Sequence, residues 1–222
     1  MAMISRAVVV PAGRGVELAG ELVLPSRARA VVLFAHGSGS SRHSPRNRKV
    51  AQALHGVGLG TLLMDLLTEE EAREDEITRG YRFDIPLLGG RLVAAIDWLA
   101  EREETRNLLV ALFGASTGAA AALVAAAERP ARVLTVVSRG GRPDLAEGAL
   151  EAVRAPVLLI VGGRDLEVMR LNEDAARRLR VPCTVHVVSG ATHLFEEPGA
   201  LETVADAARQ WCADHVRAAS GD

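Results

Sequence analysis

The chain is poor in cysteine, in aromatic rings and in lysine, and each shortage narrows what it can be. Among 222 residues there are two cysteines, Cys183 and Cys212, and no Cys-x-x-Cys. That gives no disulfide framework and no metal-ligand spacing, so no metal or cofactor is expected. Two cysteines can form one disulfide, but a reduced, cytoplasmic protein is the simpler expectation. Lys49 is the only lysine, so the basic charge is nearly all arginine. A net charge of −2 implies no general affinity for nucleic acid or for an anionic membrane. No stretch approaches the roughly 18 uninterrupted apolar residues of a membrane helix. The opening MAMISRAVVVPAGRG has no apolar run long enough for a signal peptide.

What is present is a large apolar content, 49%, and an alternation of short apolar runs with helical periods. Residues 7–10 and 16–24 read as strands joined by the turn PAGRG, an antiparallel hairpin. Residues 30–35, AVVLFA, form a continuous apolar run, as expected of a strand buried on both faces. A polar Gly-Ser loop and a helix over 45–57 follow, then a strand over 60–67. The acidic segment 68–82 has little apolar period and reads as a solvated loop or short helix, or else as a mobile flap. A strong helix spans 84–104, a modest one 145–153, and others 166–179 and 200–216. Further strands are expected over 108–113, 132–137, 155–161 and 182–188. Such alternation predicts an α/β fold, a mostly parallel doubly wound sheet in one domain over residues 1–222. There is no internal repeat.

The central stretch is LLVALFGASTGAAAALVAA, residues 108–126. An apolar strand stops at Gly114, GASTG makes a sharp turn, and alanines open a helix. Ser116 stands at the apex of a G-x-S-x-G nucleophile elbow. Glycines are needed on both sides because bulkier residues would collide with the strand and the helix. The ordinary alternative is a glycine-rich turn without chemistry.

Ligands of open parallel sheets bind beyond the carboxyl ends of the strands. There the chain delivers Ser116, then Asp165, then His193, the order of a Ser-Asp-His triad in α/β-hydrolases. Ser116 would be the nucleophile, His193 the general base, and Asp165 the group that orients the imidazole. Two backbone N–H groups would hold the oxyanion, one from Thr117 and one from Ser38, with Gly39 as the alternative to Ser38. Each residue has a plainer reading: Asp165 as a helix N-cap, His193 as a loop histidine, and His36 as a shaper of the oxyanion loop. Arginines crowd the same strand ends. Arg42 and Arg139 are the candidates for gripping an anionic substrate group, the alternative being solvation or pairing with the acidic segment, Asp144 and Glu196.

HGSGSSRHSPRN, FGASTGAAAAL, SRGGRPDL, LLIVGGRD and GATHLFEEPGAL together resemble the α/β-hydrolase superfamily, and within it the small cap-less enzymes of the dienelactone-hydrolase-like family. The resemblance covers residues 30–216. It implies the α/β-hydrolase fold without a cap domain, and a small-molecule ester as substrate. Dienelactone hydrolases proper use a cysteine nucleophile; here Ser116 occupies the elbow, which fits ordinary carboxylic esters better. Relatives of this branch are found joined to phosphoribosyltransferase domains, and none is expected in this chain. A perhydrolase or acyltransferase using the same triad, and a non-catalytic binding module, remain alternatives.

Overall fold

The computed structural model describes residues 2–221. Strands β1 (Met3–Pro11) and β2 (Glu17–Pro25) form the antiparallel hairpin. They are followed by β3 (Ala30–Ala35), β4 (Gly60–Met64), β5 (Leu109–Ala115), β6 (Val133–Arg139), β7 (Val157–Gly162) and β8 (Cys183–Val188). These strands make one sheet in the order β1-β2-β4-β3-β5-β6-β7-β8. From β4 to β8 every neighbour is parallel, and β2 joins β4 antiparallel. Helices α1 (Pro45–His55), α2 (Glu69–Thr78), α3 (Ile85–Glu101), α4 (Thr117–Glu128), α5 (Ala149–Ala152), α6 (Leu166–Arg178) and α7 (Ala200–Ser220) fill the connections. This is the α/β-hydrolase architecture, and no cap domain interrupts it.

Period-two alternation divides each buried strand between two cores. Val31, Leu33 and Ala35 face α3 and α4, packing with Leu92 and Ala121. Ala30, Val32 and Phe34 face α1 and α7, packing with Val50, Leu54, Val204 and Ala208. Phe34 and Phe113, on neighbouring strands, stack with ring centroids 4.9 Å apart. Burial of one such side chain stabilises by about 1.5–3 kcal/mol, and both faces of the sheet are covered in this way.

The structure departs from the sequence reading at several ends. β1 begins at Met3, because its pairing with β2 continues to Pro25 although its side chains are exposed. α1 stops at His55 where the chain turns through Gly58 at φ +77°. The helix expected over 145–153 is broken into a 3₁₀ turn, Pro143–Ala146, and the short α5, because Glu147 between them takes φ 47°. α7 runs four residues further than its apolar period, to Ser220.

The acidic segment is a capped helix. Thr68 Oγ1 accepts from Glu71 N–H at 3.2 Å, while the Glu71 carboxylate accepts from Thr68 N–H at 2.8 Å. Glu69, Glu70 and Glu71 lie in its first turn, where the helix dipole favours negative charge. Arg91 of α3 grips both Glu71 oxygens. Asp75, almost fully buried, accepts from the Tyr81 and Arg82 N–H groups at 2.9 Å and from Arg82 Nε at 2.7 Å. Ion pairs dock this helix, which is why it carries no apolar stripe. Among the described residues no helix is long and apolar enough to cross a membrane.

Candidate active site

β5 ends in the elbow. Ser116 sits at φ 51°, ψ −122°, a region that costs a non-glycine residue about 1–3 kcal/mol. Both flanking glycines are required by contact. A Cβ on Gly114 would collide with the backbone of Ala119, and one on Gly118 with the carbonyl oxygens of Ala35 and His36. The helix after the serine is therefore pressed against both its own strand and the end of β3. Ser116 N–H is tied to Arg139 O on β6 at 3.2 Å.

Asp165 follows β7, and His193 lies in the loop after β8. Their side chains meet: His193 Nδ1 and Asp165 Oδ2 are 2.7 Å apart. Asp165 stands at the N-cap position of α6 but makes no side-chain capping bond. The neutral ring then carries its proton on Nδ1 and leaves Nε2 bare. The ring lies over Gly140, where an added Cβ would come within 3.5 Å of Cε1. Among the described residues Ser116 Oγ makes no hydrogen bond to His193, so that part of the site is looser than the Asp165–His193 pair. Such contacts are often long without substrate. Phe195, buried at φ 55°, anchors the histidine loop. Glu197 braces it by accepting Thr192 N–H at 3.0 Å. Neither residue was singled out from the sequence, where they read as ordinary loop positions.

The loop after β3 packs directly on the elbow. A Cβ on Gly37 would lie 3.1 Å from Ser116 Cβ. Ser38 Oγ and Thr117 Oγ1 are 3.1 Å apart, and the N–H groups of Ser38, Gly39 and Thr117 find no protein acceptor among the described residues. Free N–H groups beside a helix N-terminus suit an anion. His36 holds this loop in shape. Its Nε2 accepts Leu66 N–H at 2.9 Å, so its proton is on Nδ1, 3.0 Å from Gly37 O. Burial pushes its pKa down, keeping it neutral. It is a brace between the β3 and β4 loops.

A cavity of about 500 Å³ opens beside Ser38 and Thr117. Leu66, Leu67 and Leu88 give it an apolar floor, and Glu69, Ala72 and Glu76 of α2 form one wall. Helix α2 thus borders the site.

Most strand-end arginines are paired. Arg42, one of the two candidates for a substrate anion, is paired with Asp65: its backbone N–H donates at 2.7 Å and its guanidinium makes an ion pair. Asp65 lies in the neighbouring β4 loop, and it engages one guanidinium nitrogen, Nη1. Arg46 reaches Glu196 at 3.5 Å, Arg48 reaches Glu21 at 2.7 Å, and Arg142 reaches Asp144 at 2.7 Å. Arg139 differs. It is 9% exposed and has no partner among the described residues; Nη1 is buried without a hydrogen bond. Desolvation, and then the nearby Arg46, push its pKa down to about 10, so it is still charged at neutral pH.

The cysteines stand apart. Cys183 is partly buried and Cys212 wholly so, and burial pushes their thiols up to about 11 and about 12. No group of three metal-ligating side chains occurs among the described residues.

The chain has known relatives. The sequence model of the dienelactone hydrolase family matches residues 18–217. A crystal structure of dienelactone hydrolase from Anabaena variabilis is 58% identical, with a TM-score of 0.92 over 94% of this chain and 96% of that one. A Mycobacterium tuberculosis protein named as a phosphoribosyl transferase is 56% identical over 201 residues, 90% of this chain and 44% of its own length. The chain thus spans less than half of that relative. Est1E from Butyrivibrio proteoclasticus, 15% identical with a TM-score of 0.79 over 95% of this chain and 98% of its own, shares the fold. With the match running through nearly all of its strands and helices, the chain belongs to the dienelactone hydrolase family.

Proposed function

We propose that the protein is a serine hydrolase of small carboxylic esters, working through an acyl-enzyme. The observation that carries this reading is the strained Ser116 elbow beside a His193–Asp165 pair whose tautomer leaves Nε2 free. Ser116 Oγ attacks the ester carbonyl while His193 Nε2 takes its proton. Asp165 keeps the ring oriented and stabilises the imidazolium. The tetrahedral oxyanion forms against the N–H groups of Ser38 and Thr117, each such donor being worth about 3–4 kcal/mol in the transition state. The proton passes from His193 to the departing alcohol. Water, activated by the same nitrogen, then attacks the acyl group and restores Ser116.

The family name points to dienelactone, but the elbow holds serine where dienelactone hydrolases proper hold cysteine, and burial, partial for Cys183 and complete for Cys212, keeps both thiols as neutral SH groups. Ordinary esters suit the site better, and an open cavity without a cap favours short acyl groups. The phosphoribosyl transferase in the mycobacterial relative's name goes, in this reading, with the larger part of that protein outside the match.

The test is a fluorophosphonate probe together with a panel of p-nitrophenyl esters, thioesters and lactones. Labelling and turnover are expected in the wild type and absent in Ser116→Ala. Equal labelling of Ser116→Ala would overturn the assignment. Product analysis with alcohol or peroxide present identifies the acceptor, water being the one expected.

A further inference from the structure

Asn172, in the middle of α6, has no surface exposed to water. A buried amide costs stability unless it is hydrogen-bonded. Its Nδ2 group donates to two carbonyls, Val168 O at 2.8 Å, one turn earlier, and Gly141 O at 3.0 Å. Its Oδ1 is buried and accepts from no donor among the described residues. The amide is thus kept for its donors, since a reversed one would set oxygen against two carbonyl oxygens. The bond to Gly141 ties α6 to the loop after β6. That loop holds the nucleophile at both backbone ends: Arg139 O accepts Ser116 N–H at 3.2 Å, and Arg142 N–H donates to Ser116 O at 3.1 Å. Gly140 lies so close to His193 that an added Cβ would stand 3.2 Å from its carbonyl oxygen. Gly141 itself is pressed between α4 and β6, where a Cβ would collide with Ala119 Cβ and Ser138 Oγ.

Helix α6 therefore carries two anchors. Asp165, at its N-cap position, holds His193 Nδ1. Asn172 comes nearly two turns later, which returns it to the same side of the helix. One rigid element fixes the carboxylate behind the histidine and, further along, the loop that grips the serine. We infer that Asn172 is a positioning residue: through Gly141 it sets the register of Ser116 against the His193–Asp165 pair, without touching substrate or the reacting atoms. The elbow needs such a hold, because a residue at φ 51° keeps its conformation only when its surroundings over-determine it. The approach of Ser116 Oγ to His193 is also left to the backbone, with no hydrogen bond between them to correct it. A misplacement of about 1 Å in such a centre costs about 100-fold in rate. The inference rests on the serine-hydrolase reading and adds to it a residue outside the elbow and outside the loops that carry the chemistry.

The test separates positioning from stability. Asn172→Leu keeps the size of the side chain and removes the donors. Thr135→Val is the control. It is equally buried, on β6, and loses bonds to Pro156 O at 2.8 Å and from Trp211 Nε1 at 2.6 Å, but at the far end of the strand from the elbow. With p-nitrophenyl acetate, kcat should fall at least tenfold in Asn172→Leu while KM stays within about twofold, and fluorophosphonate labelling should slow in proportion. In Thr135→Val, kcat per folded molecule should stay within about twofold even where urea unfolding shows a similar loss of stability. Asn172→Asp supplies the second variant should Asn172→Leu not fold. Burial raises the pKa of the introduced carboxyl, and once protonated it can again donate to Gly141 O. Its kcat relative to wild type should therefore recover as pH falls. Amide exchange at Ser116 and Arg142, followed by NMR, should quicken in Asn172→Leu beyond that of the other β6 and elbow amides. Unchanged kcat in Asn172→Leu, an equal fall in Thr135→Val, or an Asn172→Asp deficit indifferent to pH would overturn the inference. No labelling and no turnover in the wild type would instead overturn the serine-hydrolase reading, and exchange at Ser116 and Arg142 would then decide on the hold by itself.

Discussion

Replacing Arg139 by methionine is expected to stabilise the fold, against the usual direction of a core substitution. Burial, with Arg46 adding to it, holds the Arg139 pKa near 10. That is roughly 2.5 pH units below an ordinary arginine, or about 3 kcal/mol against the charged form. The sign follows from the direction. A base whose folded pKa is lowered destabilises the fold wherever it is charged in both states. The penalty is therefore complete at pH 7 and fades only as pH rises past 10. Methionine keeps an unbranched apolar stem and discards the charge. Allowing for imperfect repacking, the gain is about 2 kcal/mol, a rise in melting temperature of roughly 4–8 °C for a chain of this size. Reversible urea unfolding at pH 7 measures it, with Arg139→Lys as the control that keeps the charge and should show no such gain. A loss of 1 kcal/mol or more in Arg139→Met would refute the reasoning, since it would mean that the guanidinium is satisfied in the folded protein.

Other consequences are as direct. Ser116→Gly should abolish ester turnover and raise stability by about 1 kcal/mol, because glycine tolerates positive φ; unfolding curves and p-nitrophenyl acetate assays read both. Asp165→Asn should lower kcat by about 10⁴ with the fold intact, through the wrong His193 tautomer; a drop under tenfold would remove Asp165 from the triad. Cys183→Ser/Cys212→Ser should retain turnover per folded molecule, as both thiols are protonated at the assay pH. Glu71 is desolvated, which alone would raise its pKa, but hydrogen bonds from Arg91 and Thr68 outweigh this and lower it. Its contribution is therefore present above an ordinary glutamate pKa and lost as pH falls through the lowered one. Hydrogen exchange in α2 should rise on acidification, and Glu71→Gln should weaken that dependence, with Asp75 of the same helix supplying the rest, its desolvation likewise outweighed by Arg82 so that its pKa is also lowered.

Much of this fold could be read in advance because its strands are buried on both faces and so appear as unbroken apolar runs. AVVLFA of β3 coincides with its strand to the residue. The elbow was legible for a local reason, as its glycines, serine and alanines are contiguous. Asp165 and His193 were legible because topology sends every parallel strand to the same edge. What escaped depends on partners distant in sequence. Nothing in TEEEAREDEIT announces that Arg91, twenty residues beyond Glu71, will dock it. Arg42 could not be matched to Asp65 before the β3 and β4 loops were seen side by side. The burial of Arg139 was hidden too, since a strand's last residue is equally free to turn into solvent.

Ser38 and Thr117 are brought together across 79 residues of chain, through the pairing of β3 with β5. Neither half of the proposed oxyanion hole exists until that pairing has closed, and closing so long a loop is slow compared with forming α4 or the β1–β2 hairpin. After dilution from denaturant, helical signal should therefore return before esterase activity does. The delay between the two would time the closure of the centre of the sheet, with the enzyme reporting on its own topology.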